Sequence, residues 1–459
     1  MMKRETELVI NTRMMALELI MEIMEQKKYA DLVIHEALSV HQFIDKSFRA
    51  FLTRLVQGTV ERCLEIDYLL DKFSKVTTKK MKPVIRNILR LSVYQILYMD
   101  QVPDSAACNE AVKLTEKKGF SGLKGFVNGV LRNISRSKEK NSLPYPKKED
   151  ITIYFSVKYS TPKWIVALWL QEYGQEDTEK MLSSQYEEER MGTISIRRRK
   201  MIGEEILLQQ LSKEHCYIEK ETCLSYAYRL SGYDFLEGMQ SFQKGWFQVM
   251  DISSMLAVEA AGIKKDMVIL DVCAAPGGKS IFAADCMEGT GLVIARDITK
   301  EKLIKIEETI ERFGCNNIKT ECYDARVLDK TMVGKADLVI ADLPCSGLGV
   351  MGHKNDIKYH ITKETVQELK KLQREILSVV WQYVRPGGTL IFSTCTVNKE
   401  ENEEGRDWIL QNTPLKEDSL VPFLPKQFSQ NLSASKGYLQ LRQGMNEMDG
   451  FFISRFRRV

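Results

Sequence analysis

Two short segments of this chain each carry a cysteine in a setting suited to chemistry: Asp342-Leu-Pro-Cys345-Ser-Gly347 and Ser393-Thr-Cys395-Thr396. Each follows an apolar run that reads as a buried strand, Asp337 to Ala341 and Gly388 to Ser393. Ligands of open α/β sheets bind outside the carboxyl ends of the strands, so both thiols are expected to face one crevice. A thiolate there can do what C5 methylation of a pyrimidine requires. C5 of cytosine is too weakly nucleophilic to take a methyl group directly, and thiolate addition at C6 pushes electron density onto it. A base then removes the C5 proton and the thiol departs. An acidic group near N3 and the exocyclic amine, such as Asp342, would hold cytosine and favour addition. The spacing alone leaves open whether Cys345 or Cys395 attacks.

A third segment supplies a cofactor site. Leu270-Asp-Val-Cys273-Ala274-Ala275-Pro276-Gly277-Gly278-Lys279 lies between a predicted strand and a predicted helix. Gly277 and Gly278 allow close backbone approach, and the helix behind them offers free N–H groups and the positive end of its dipole. Asp297 ends the next strand, where a carboxylate can accept from ribose hydroxyls. Asp324, near the expected end of a third strand, is placed to address an adenine amino group. The G-x-G-x-x-G fingerprint is absent, which argues against a dinucleotide. S-adenosylmethionine (SAM) has no pyrophosphate and needs only the shorter glycine pair. Amine methylation usually goes with an Asp/Asn-Pro-Pro-aromatic segment; here the run is Asp-Leu-Pro-Cys, which favours carbon.

The elements that position these groups follow from periodicity. From Phe242 onward, strands alternate with helices: Val268 to Asp271, Leu292 to Ala295, Asp337 to Ala341, Gly388 to Ser393, and a last one over Gly450 to Phe456. This predicts a Rossmann-like, mostly parallel α/β domain over residues 238–459. Residues 1–140 are helical in pattern, with Leu17, Ile20, Met21 and Met24, and then Ile85, Ile88, Leu89, Val93, Ile96 and Leu97, at helical spacing. They predict an all-α bundle. The polar, Pro-containing stretch from Ser135 to Asp150 reads as a linker, and residues 150–237 as a small α+β connecting domain.

Composition bounds the rest. The chain has 459 residues, 44% hydrophobic and 28% charged, with net charge +4. No apolar stretch is long enough for a membrane span and no signal-peptide pattern is present, so a cytoplasmic, non-membrane protein is expected. The ten cysteines form no C-x-x-C pair, and there are five histidines, so no metal is expected. Eight of the ten thiols are expected mainly in helices and strands, as buried small hydrophobes. Lys82, Arg86 and Arg90 stand at helical spacing, a basic stripe that either contacts phosphate or is a solvated face. The acidic excess lies away from the basic clusters, for example at Glu400 to Glu404.

The three segments C-A-A-P-G-G-K, D-L-P-C-S-G and S-T-C-T resemble the signature motifs of RNA cytosine-C5 methyltransferases. Leu55-Val-Gln-Gly-Thr-Val60, Arg86 to Leu91, Val102-Pro-Asp104 and Phe126 to Arg132 are similar to the NusB antitermination factor. The combination resembles the bacterial RsmB (Sun/Fmu) family, over nearly the whole chain. The resemblance implies SAM as cofactor, held by Cys273 to Lys279, Asp297, Asp324 and Asp342. It implies Cys395 as nucleophile, Cys345 as the thiol that assists product release, and 16S ribosomal RNA as substrate for a monomeric enzyme. Transfer RNA as substrate, or a catalytically silent RNA-binding factor, are the alternatives. The chain departs from the family pattern at Met351 to Lys354, where two arginines are usual, at Arg199 for asparagine and at Met250 for glutamine.

Overall fold

In the computed structural model, which describes residues 11–40, 45–186, 192–445 and 448–459, the chain forms two compact units. One contains the described residues of Met1–Leu182 together with His353–His360, the other those of Ser183–Gly352 and Ile361–Val459.

The first unit is helical. Its helices are α1 (Thr12–Glu25), α2 (Ala30–Val40), α3 (Lys46–Glu61), α4 (Cys63–Phe73), α5 (Pro83–Tyr98), α6 (Asp104–Lys117), α7 (Lys124–Glu139), α8 (Ile151–Lys158) and α9 (Lys163–Ser183). Local chemistry sets the ends. Asn11 accepts from the Met14 amide and Asp150 from the Ile153 amide, each satisfying one orphan donor of a first turn. Pro83 opens α5, where its missing N–H costs nothing. The helix α9 is interrupted at Gly174, whose φ of 75° is left-handed. The apolar stripes expected from sequence meet in one core, with Leu17, Ile20, Ile85, Ile88, Leu89 and Val93 all buried.

Of the basic stripe, Lys82 is exposed, whereas Arg86 and Arg90 are turned to carboxylates of neighbouring helices. Arg86 donates twice to Glu25, at 2.6 and 2.7 Å, and Arg90 is buried with both Asp67 oxygens within 2.7 Å. These arginines sit on the seam between helices, where their carboxylate partners come from α1 and α4. A tenth piece of chain completes this unit. Asp356 accepts from the Ala30 amide at 2.8 Å, and Lys358, buried in the bundle, donates to the Glu61 carbonyl at 3.0 Å.

The second unit carries two sheets. The smaller has the antiparallel order β2-β3-β1-β4, from β1 (Ile194–Arg198), β2 (Tyr217–Lys220), β3 (Ala227–Ser231) and β4 (Phe247–Val249). α10 (Glu204–Lys213) packs on it through Leu207 and Leu211. Then follow α11 (Gln240–Gln243), α12 (Ile252–Glu259), β5 (Val268–Asp271), α13 (Gly278–Cys286), β6 (Leu292–Asp297), α14 (Lys300–Phe313), β7 (Ile318–Cys322), β8 (Ala336–Asp342), α15 (Ile357–His360, within the first unit), α16 (Lys363–Val380), β9 (Val384–Thr394), α17 (Glu403–Asn412), β10 (Leu415–Glu417), β11 (Tyr438–Leu441) and β12 (Phe451–Arg458).

The larger sheet has eight strands. β7-β6-β5-β8-β9 are parallel, β12 joins β9 antiparallel, and β10 and β11 pair with β12. This is the expected doubly wound architecture. The parallel strands are nearly continuous apolar runs because helices cover both faces. Strand order reverses between β5 and β8, which makes their carboxyl ends, Asp271 and Asp342, the rims of the ligand crevice. Among the described residues no helix is long and apolar enough to cross a membrane.

Candidate active site

The two thiols that sequence placed at strand ends do meet. Cys345 follows β8, Cys395 follows β9, and β8 and β9 are parallel neighbours with Asp342 opposite Ser393. Their Sγ atoms lie 3.2 Å apart, both partly exposed. The loops are drawn together by backbone bonds: Leu343 N donates to Ser393 O, Gly349 N to Cys395 O, and Gly450 N to Gly349 O, at 2.9 to 3.1 Å. Gly349 is needed for this approach, since a Cβ there would sit 1.9 Å from the Gly450 oxygen. The hydrogen bond it donates to Cys395, burial, and the charges of Cys395 and Glu401 push the Cys345 thiol well above its ordinary pKa.

Asp342 closes the other side. Its Oδ2 accepts from Lys279 Nζ at 2.6 Å and its Oδ1 from Ser393 Oγ at 2.7 Å. The Lys279 ammonium stands 5.1 Å over the Phe451 ring and close enough to an ionised Cys395 for their charges to interact. Burial works against this cation, and the carboxylates of Asp342 and Asp271 outweigh it, raising its pKa.

The cofactor loop forms as expected between β5 and α13. Cys273 and Ala274 lead out of the strand, and the Ala275–Pro276 peptide is cis. Gly277 caps α13 with φ 101°, and a Cβ there would press on Ile306 at 3.2 Å. Gly278 begins the helix and stays open on the side a Cβ would take, its nearest neighbour being Gln248 at 3.6 Å. Asp297, buried at the end of β6, accepts from the Ala275 amide at 3.0 Å and so fastens the loop to its neighbouring strand. Lys302 also reaches Asp297, at 3.0 Å. Asp324 lies just past β7, partly exposed, clasped by Arg326 at 2.7 Å, which lowers its pKa. At the foot of the loop Asp271 is fully buried. Its Oδ2 accepts from Ser280 at 2.6 Å, and its Oδ1 lacks a well-formed hydrogen bond. Burial pushes this carboxyl up to about 7.

This donor set fits a zwitterionic nucleoside. Carboxylates at 271, 297 and 324 can take ammonium and hydroxyl donors, the free amides of the α13 N-terminus can take a carboxylate, and the glycine pair leaves room for the backbone to approach.

A family model described as 16S rRNA methyltransferase RsmB/F matches residues 260–457, and a NusB family model matches residues 10–136. A curated relative from Bacillus subtilis, probable ribosomal RNA small subunit methyltransferase B, is 34% identical over 98% of this chain and 99% of its own length. The chain belongs to the RsmB family. A Klebsiella pneumoniae member, ribosomal RNA small subunit methyltransferase B, is 27% identical over 97% of this chain and 98% of its own. The crystal structure of PH0851 shares the fold with TM-score 0.81 at 22% identity, over 98% of this chain and 99% of that one. The structure of NSun6 from Pyrococcus horikoshii with SFG superposes with TM-score 0.58 at 22% identity, over 65% of this chain and 98% of that one.

Several features of this RsmB-family chain were not anticipated. Glu401, part of the acidic run, is fully buried beside the thiol loops, whereas Glu400 and Glu404 pair with Lys370. Ser346, Gly349, Ser393 and Asn402 also belong to the site, and only the flanking motifs could have drawn attention to them. Of the eight other cysteines, Cys63 and Cys108 are buried, five are partly exposed and Cys322 is exposed, so burial accounts for fewer than expected. Of the family departures, Met351 and Met250 are buried and Arg199 lies 3.7 Å from Asp285.

Proposed function

We propose that this chain methylates C5 of a cytosine in 16S ribosomal RNA, using SAM, through a covalent bond from Cys395 to C6. The observation that carries this reading is the pair of thiols 3.2 Å apart at the ends of adjacent strands, beside a Lys279–Asp342 pair and the cofactor loop. In this reading residues 1–140 are an RNA-binding bundle, 150–237 a connecting domain and 238–459 the catalytic domain of a monomeric, cytoplasmic enzyme. Cys273 to Lys279, Asp297, Asp324 and Asp342 hold the cofactor. Bound there, SAM supplies an electrophilic methyl group on a sulfonium.

The residues divide the work as follows. With Cys345 as hydrogen-bond donor and Lys279 as the nearby cation, Cys395 is stabilised as thiolate, the reactive form. Asp342 holds N3 and the exocyclic amine of cytosine. Cys395 would add to C6, and the electron pair displaced from the C5–C6 double bond would form the new bond from C5 to the methyl carbon as the methyl–sulfonium bond breaks and its pair returns to sulfur, leaving a neutral thioether. Attack converts Cys395 into a neutral thioether, which removes the negative charge that held the proton on Cys345. Cys345 then releases that proton to solvent and, as thiolate, takes the proton from C5. The double bond reforms and the C6–S pair returns to Cys395.

The test is methyl transfer from labelled SAM to unmodified 16S RNA and, in parallel, to transfer RNA, with adduct detection on denaturing gels. Wild type should label cytosine C5 of 16S RNA. Cys395→Ala should form no adduct, and Cys345→Ala should accumulate it. A reversed pattern would exchange the roles of the two thiols, and labelling of transfer RNA alone would overturn the substrate.

A further inference from the structure

Glu401 touches neither thiol, yet it gathers the loops that carry them. Its Oε1 accepts from the Ser346 amide at 2.9 Å and from Gln373 Nε2 at 3.1 Å. Its Oε2 accepts from Ser346 Oγ at 2.5 Å and from Asn398 Nδ2 at 3.2 Å. Ser346 follows Cys345, and its Oγ also lies 2.8 Å from Thr396 Oγ1, next to Cys395. Gln373 of α16 bonds the Pro344 carbonyl as well, at 2.8 Å. Four donors therefore converge on one fully buried carboxylate. Burying a carboxylate is costly unless its oxygens are hydrogen-bonded, and here both are.

Glu401 grips both loops, Ser346 on one and Asn398 on the other, but the residues flanking Cys395 have a second side-chain anchor independent of it. The Cys395 loop has its own anchor in Asn402, which donates to the Thr396 carbonyl at 2.9 Å and accepts from Thr394 Oγ1 at 2.5 Å. On the Cys345 loop, both polar groups of Ser346 run to Glu401.

We infer that Glu401 is a positioning residue for the release step: it holds the Cys345 loop in reach of the base carried by Cys395, and the attack step does not need it. The inference rests on the thiol roles proposed above. The charged groups that act on Cys345 are Cys395 and Glu401. On the α16 side Lys370 and Arg374 turn outward to Glu400 and Glu404, so no cation competes for the buried carboxylate among the described residues. Burial raises the Glu401 pKa against the hydrogen bonds of Ser346, Gln373 and Asn398, and its negative charge acts to keep the proton on Cys345.

The experiment compares full-length wild type, Cys345→Ala, Glu401→Gln, Ser346→Ala and Asn402→Ala in single-turnover assays with 16S RNA and SAM, reading adduct, methylated product and melting temperature. Glu401→Gln presents an amide to donors and should loosen the Cys345 loop. Adduct should form at a rate near wild type while release slows by about a hundredfold. KM for RNA should stay unchanged, and Ser346→Ala should show the same defect in weaker form. Asn402→Ala should instead slow adduct formation. A purely structural role would lower the melting temperature and slow both steps together. Glu401→Gln and Ser346→Ala that both release product as fast as wild type, or slow formation and release equally, would overturn the inference. If Glu401→Gln does not fold, Ser346→Ala decides alone. Should Cys345→Ala accumulate no adduct, it is the underlying assignment of the thiols that fails.

Discussion

At the residue scale, burial opposes the ionisation of groups in the site, among them Asp271 and Cys345. Asp271 is the clearest. Its folded pKa, about 7, stands above the ordinary carboxyl value, so between about pH 4 and pH 7 the folded chain holds a proton that the unfolded chain has released. Stability therefore falls as pH rises through that window, by on the order of 4 kcal/mol in the limit of no relaxation. Asp271→Asn keeps an acceptor for Ser280 and removes the ionisation. Urea melts from pH 4 to pH 8 should lose most of this slope in the variant; an unchanged slope would place the titration elsewhere. Asp342 is held by Lys279. Removing that partner in Asp342→Asn leaves a largely buried ammonium, a change that costs about 3–5 kcal/mol where burial is complete. Adduct formation should fall with it, read in the same trapping assay.

At the element scale, the packing of two loops and of one helix seam decides which side chains are functional. Gly349 lets the Cys345 loop lie against Gly450, just before β12. Gly349→Ala puts a Cβ 1.9 Å from a backbone oxygen, so a loss of about 2 kcal/mol or more in stability and a wider thiol separation are expected. Calorimetry and adduct yield together would check this. On α5 the same logic runs the other way. Arg86 and Arg90 have helical spacing and positive charge, the pattern of a phosphate stripe, but their partners Glu25 and Asp67 arrive from other helices. Arg90→Ala should cost about 3–5 kcal/mol of stability and leave the salt dependence of RNA binding unchanged. A reduced salt slope in that variant would show a phosphate contact after all.

At the scale of the whole molecule, the first unit is not a contiguous piece of chain. His353–His360 leaves the sequence just after the Cys345 loop and supplies Asp356 to the start of α2 and Lys358 to the end of α3. Burial lowers the Lys358 pKa to about 8 and raises that of Glu61 beside it. A fragment ending at Leu182 lacks both bonds, and should unfold at lower urea than the same helices in the full chain, by about 1–3 kcal/mol. Equal midpoints would mean that this segment adds nothing to the bundle.

Much was readable before any tertiary contact was known. The parallel strands from Val268 to Ser393 are apolar runs bounded by Gly and Pro, and the thiols, Asp297 and the glycine pair sit at their ends because catalytic loops need special residue types there. These are local facts, written in composition and spacing. The fate of Arg86, Arg90, Glu401, Lys358 and Asp356 was not local. A charged side chain looks the same in sequence whether it meets water or a buried partner, and each of these found partners dozens or hundreds of residues away. The short strands β2, β3 and β4 were equally silent, since three to five residues carry too little alternation to stand out. Sequence by itself determined the fold class and the chemical groups at the strand ends. Tertiary structure alone decided which charges are buried, because desolvation depends on what packs against a residue and not on its neighbours along the chain.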